Sequence, residues 1–89
     1  MKVLKVSSTT KPNSIAGAIA GIIREEGKVQ IQIIGAAALN QTIKGIAIAR
    51  GYIAPTGQEI VCIPFFKDIE VNNEIKTAIV LTIETRPAQ

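Results

Sequence analysis

Lys28-Val29-Gln30-Ile31-Gln32-Ile33-Ile34 decides how the chain is read. Val29, Ile31 and Ile33 alternate with Gln30 and Gln32, so an extended backbone turns the three β-branched residues to one face and both amides to the other. Such a segment is a strand with one buried face, and Gly35 ends it. On either side the apolar period lengthens from that of a strand to that of a helix. Upstream, Ile15, Ile19, Ile22 and Ile23 recur at i, i+4, i+7 and i+8, and Gly27 offers a left-handed stop. This predicts a helix over residues 12–26, with Pro12 in its first turn and Asn13 or Ser14 as the capping side chain. Downstream, Leu39, Ile43, Ile46 and Ala47 share the core stripe of a second helix over residues 36–50, closed by Gly51.

Further outward, Leu4 and Val6 alternate with Val3 and Lys5, which predicts a strand over residues 2–6 ended by the polar run 7–10. Residues 52–57 read as a loop with turn chemistry at Pro55-Thr56-Gly57. Two last strands, residues 59–65 and 75–86, are joined by a hairpin-like segment with Asn72-Asn73 at its tip, because asparagine tolerates the positive φ of tight turns. The order strand, helix, strand, helix, strand, strand predicts an α/β chain of the two-layer α+β kind. Its mixed four-stranded sheet carries both helices on one face. Eighty-nine residues suffice for one hydrophobic core, so 1–89 is read as a single domain.

Apolar residues make up 47% of the chain and aromatics only 3%, so the core must be built from Ile, Val, Leu and Ala. The net charge of +3 is unevenly placed: residues 1–51 carry seven cations against two acids, and residues 52–89 three against five. An acidic partner would therefore dock on the first half. With no histidine, neither a Ser-His-Asp nor a Cys-His arrangement is available, and with one cysteine a zinc site is excluded as well. Cys62, between Val61 and Ile63, reads as a small core residue. The carboxylates lack the apolar setting that tunes an acid/base pair, so the chain is not expected to be an enzyme. No dinucleotide or P-loop fingerprint occurs, and no cofactor is expected. No signal-peptide pattern is present, and the longest apolar stretch, residues 15–23, is too short to span a bilayer. A cytoplasmic protein without a membrane partner is the expectation.

Two features point to binding. Around the second helix, Ala38, Gln41, Gly45, Ile48, Ala49 and Tyr52 lie opposite the Leu39 stripe, and most are small or apolar. A helix apolar on both sides has neighbours on both sides, so this face is expected to form a two-fold homodimer. Both helices also start directly after strands, and helix N-termini present free N–H groups and a positive dipole end to anions. The first of them, Lys11-Pro12-Asn13-Ser14, adds a cation.

The segments KVSSTTKPNSIAGAIAGIIREEG, IQIIGAAALNQTIKGIAIARGYIAPTG and IVCIPFFKDI closely resemble the stage V sporulation protein S family over nearly the whole chain. The resemblance implies a bacterial cytosolic protein of sporulation and related development. That family in turn resembles the Alba group of dimeric nucleic-acid-binding proteins, which place a lysine and a proline in the loop before helix one, as Lys11-Pro12 do here. Ala38-Leu39-Asn40-Gln41 matches the start of their second helix, and Arg50 an arginine at its end. The chain departs from that group where arginines precede helix two, since it has Gly35-Ala36-Ala37, and in a hairpin whose Lys67 and Lys76 face Asp68, Glu70 and Glu74. The expected function is a dimeric regulator that holds the backbone of DNA or RNA through Lys11, Asn13, Asn40 and Lys44, with Arg50 supporting the interface, weakly and salt-sensitively. The alternative is a protein-interaction scaffold in spore assembly that binds no nucleic acid.

Overall fold

The computed structural model describes residues 1–89. Its elements follow in the order β1 (Val3–Val6), α1 (Pro12–Glu26), β2 (Lys28–Ile33), α2 (Ala36–Ile53), a 3₁₀ turn (Ala54–Thr56), β3 (Gln58–Val71) and β4 (Glu74–Pro87). The strands form one sheet in the order β1-β2-β4-β3, with β1 parallel to β2 and the other pairs antiparallel. Register fixes the faces, because directly opposed residues share one. Leu4 opposes Ile31 and Val6 opposes Ile33, while Val29 opposes Ile83 and Ile31 opposes Leu81. These residues meet Ile15, Ile19, Ile22 and Ile23 of α1 and Ala38, Ala49 and Ile53 of α2 in a single cluster, so both helices cover one face. No helix is long and apolar enough to cross a membrane.

Local chemistry explains most boundaries. Gly27 takes φ 78° and donates its N–H to the Ile23 carbonyl, closing α1 as its sequence predicts. The start of α1 differs from expectation. Lys11 occupies the N-cap with extended geometry and no side-chain cap bond, and Pro12 is the first helical residue. Asn13 and Ser14 thus lie inside the first turn and cap nothing. Nor does Gly51 close the second helix. Its φ is not positive, and α2 runs on to Ile53, where the 3₁₀ turn and Gly57 at φ 81° end it.

The hairpin is longer than its composition suggests. β3 and β4 pair without interruption from Gln58↔Pro87 to Val71↔Glu74, around a two-residue turn in which Asn72 and Asn73 have φ 52° and 65°. Both central residues in the left-handed region is the signature of a type I′ turn, whose twist matches that of the strands. This ladder carries the charged segment 67–76 as strand rather than loop, and the molecule measures 44 × 22 × 20 Å as a result.

The largest correction concerns α2. Ala38, Thr42, Gly45, Ala49 and Ile53 are its buried residues. Ala38, Gly45 and Ala49, expected at a dimer interface, therefore face the protein's own core. A Cβ on Gly45 would lie 2.6 Å from Ile15 Cγ2, so α1 and α2 touch there through the absence of a side chain. The expected core stripe is only partly inside: Leu39 and Ile46 are half-buried and pack against the core, whereas Ile43 and Ala47 are exposed. Small residues lie inside because the two helices approach closely, and the larger ones flank that contact.

Candidate nucleic-acid interface

The polar run before α1 is folded into a small, internally bonded loop. Thr10 N–H donates to the Ser7 carbonyl at 3.2 Å, Ser7 N–H to Thr10 Oγ1 at 3.0 Å, and Thr9 N–H to Ser7 Oγ at 3.3 Å. Hydroxyl side chains close such turns by taking over backbone hydrogen bonds. From α2, Gln41 Nε2 donates to the Thr10 carbonyl at 3.0 Å. Gln41, expected at a dimer contact, therefore clamps this loop within the chain. Lys11 leaves the loop extended, and its carbonyl accepts the N–H groups of Ser14 and Ile15 at 3.0 and 3.1 Å.

The clamp sets the start of α1 beside the middle of α2. Lys11, Pro12, Asn13, Lys44, Ala47 and Ile48 line an open groove of about 560 Å³. Of the five residues expected to bind, this brings Lys11, Asn13 and Lys44 together. Asn40 is exposed one turn before Lys44 on the same helix but does not line the groove. Arg50 is exposed in the last turn of α2, about 120° around that helix from Lys44 and away from α1. Pro12, Ala47 and Ile48 form an apolar floor; Pro12 was expected to start the helix, Ala47 to face the core and Ile48 to face a second copy, and none of the three to line a binding groove. Their signal was present only as positions one turn from Lys44 and beside Lys11. Tyr52 is exposed and lies outside the groove.

Electrostatically the groove is cationic. The ion pairs of the molecule join Lys2 to Glu25 and Glu26, Lys28 to Glu84, and Arg86 to Glu59. Neither Lys11 nor Lys44 is in one, no carboxylate lines the groove, and the first turn of α1 holds no acid. The partial positive charge at that helix end is thus added to two ammonium groups. A phosphate fits this arrangement, since lysines supply charge without demanding a fixed geometry.

Cys62 is exposed on β3, not in the core as its apolar neighbours suggested. The packing about its sulfur still pushes the thiol pKa up by desolvation. No three or more His, Cys, Asp or Glu side chains gather as a metal site would require.

The family model for stage V sporulation protein S matches residues 2–86. That span takes in every strand and helix described above except the last residue of β4, and the loop, groove and hairpin with them. The chain belongs to the stage V sporulation protein S family.

Proposed function

We propose that this protein is a homodimeric regulator of sporulation or development that binds the backbone of a nucleic acid in the groove between the start of α1 and the middle of α2. One observation carries this reading: two unpaired lysines from different elements converge over an uncapped helix start with no acid beside them. The likeness of the Lys11-Pro12 loop to that of the Alba group supports it. Contacts of this kind attach to phosphate and carry little sequence information.

A second copy would meet a surface other than the α2 face made by Ala38, Gly45 and Ala49, which are buried within the chain. The helix-side row Val6, Ile33, Ile79, Phe66 begins in the core and ends in solvent, where Phe66 is 77% exposed. Ile75, 69% exposed, continues it along the hairpin, and Leu39, Ile43 and Ile46 line the flank of α2 turned away from α1. Together they offer on the order of 400 Å² of apolar surface, about half of what each partner contributes to a stable interface. The homodimer reading therefore rests on this flank and the hairpin.

Fluorescence anisotropy with labelled duplex DNA and RNA at two salt concentrations tests the proposal. Two copies of the groove neutralising about two to four phosphates give a slope of log affinity on log salt of roughly −2 to −4. Lys11→Glu and Lys44→Glu should each lower affinity about tenfold or more and flatten that slope. Unchanged binding in both would leave the scaffold alternative, in which the apolar flank engages other proteins.

A further inference from the structure

We infer that the open face of the sheet, opposite the helices and separate from the lysine groove, is a platform for single-stranded nucleic acid, with a base stacked on Phe65. The strand register puts Lys5, Gln32, Val80 and Phe65 in one lateral row across all four strands, through the pairs Lys5↔Gln32, Gln32↔Val80 and Val80↔Phe65. At the usual strand spacing the row is about 14 Å long. The neighbouring row is Val3, Gln30, Thr82 and Ile63, in which Gln30 Nε2 donates to Thr82 Oγ1 at 3.4 Å. Val80 is 2% exposed and Ala78 is fully buried, so the centre is a low floor, while Phe65 remains 42% exposed at its side.

Charge on this face is sorted by the pleat. Lys67 opposes Ala78 and Lys76 opposes Ile69, which places both lysines with Phe65. Asp68 and Glu70 alternate with them and point to the helix side, where Asp68 accepts a hydrogen bond from Thr77 Oγ1 at 2.9 Å. Of the acids on the open face, Glu59 is held by Arg86 at 3.2 Å and Glu84 by Lys28 at 3.9 Å, and Glu74 stands at the turn. Lys5, Lys67 and Lys76 have no carboxylate partner. The hairpin, net acidic when counted along the chain, is therefore cationic beside Phe65.

An exposed aromatic, amides and free lysines on one open sheet match the three parts of single-stranded nucleic acid: base faces, base edges and phosphates. A duplex hides its base faces, so this surface selects single strands. The amides give hydrogen bonds to whichever base edge is presented, and the stacking is tolerant of sequence.

The test compares labelled oligo-dT and oligo-U with a duplex of equal length, using the full chain. Phe65→Leu keeps an apolar cover beside Val80 but removes the aromatic face. It should lower single-strand affinity about 5- to 150-fold, the range that loss of one stacked base implies, and leave duplex affinity within about twofold. Lys67→Gln with Lys76→Gln should reduce the single-strand salt slope by about 1.4. Phe65→Tyr, which restores the ring, should restore binding. Circular dichroism establishes that each variant is folded. Single-strand affinity unchanged in Phe65→Leu would overturn the inference. So would a Phe65→Leu variant that alters the molecular mass in solution and not the affinity, which would assign the face to a second copy. Because Lys11→Glu acts in the other groove, a failure of the duplex-binding proposal leaves this readout standing.

Discussion

Gly45 shows how one missing Cβ sets the arrangement of two helices. The carbon an alanine would add lies 2.6 Å from Ile15 Cγ2 and 2.7 Å from Ile15 Cβ, and the Pro12 carbonyl is 3.2 Å away. Neither the branched Ile15 side chain nor the backbone can withdraw without opening the core. Gly45→Ala should therefore cost about 1–3 kcal/mol despite the better helix propensity of alanine, seen as a fall in Tm of roughly 4–8 °C per kcal/mol. Because Pro12 moves with Ile15, the same variant should also weaken binding in the Lys11 groove. Cys62 gives a second prediction at this scale. The residue is exposed, yet burial about its sulfur raises the thiol pKa, so a smaller thiolate fraction slows its reaction. Alkylation by iodoacetamide at pH 8 should be slower than that of a free peptide thiol, and the difference should shrink as pH rises. A raised acid pKa also means that the folded state is favoured in the neutral form, so any contribution of this thiol to stability is lost only at alkaline pH.

At the scale of elements, periodicity identified both helices and their lengths within a few residues. It assigned the faces of α1 correctly, but on α2 it put in the core Ile43 and Ala47, which are exposed, and outside it Ala38, Gly45 and Ala49, which are buried. The reason lies in the residue types. α1 has one apolar stripe of isoleucines, and no other face competes with it. α2 has a stripe of large aliphatics at Leu39, Ile43 and Ile46 and another of small residues at Ala38, Gly45 and Ala49. Transfer energy per residue favours burying the first, but close helix approach requires the second at the contact. Gly51, in contrast, sits in α2 with helical geometry, exposed, with nothing within 4 Å of the position of a Cβ. Gly51→Ala should stabilise the protein by about 0.5–1 kcal/mol in urea unfolding, through helix propensity and a less flexible unfolded chain. The opposite signs expected at Gly45 and Gly51 separate a packing glycine from an incidental one.

For the whole molecule, the notable fact is that apolar rows of the sheet extend beyond the helices that cover them. A two-stranded ribbon in water is marginal on its own, and β3 is an edge strand. Pro64 lies on that edge and removes one donor from it, which blunts strand-to-strand pairing with another chain. Contact through side-chain faces remains available. Sedimentation at micromolar concentration should give about twice the 9.5 kDa chain mass. Phe66→Ser should lower the dimer affinity tenfold or more with little effect on the folding of the monomer, because that ring is mostly outside the core. A chain that stays monomeric at all concentrations would remove the dimer from the proposed function. The Lys11 groove would then neutralise half as many phosphates, and the salt slope would halve with it.

The sequence by itself determined the order of elements, the strand and helix periods, the buried face of β2, the stop at Gly27 and the asparagine turn. All of these arise from interactions between residues near one another along the chain. It also marked Lys11-Pro12 as a place where a cation meets a helix start. Only the tertiary structure decided which face of α2 is inside, that Gln41 holds the Ser7–Thr10 loop, that Lys44 joins Lys11 while Arg50 does not, and that the hairpin's charges part between two faces. Each of these depends on how closely two elements approach or on the register between strands. Those are distances set by packing among residues far apart in sequence, and no local pattern encodes them.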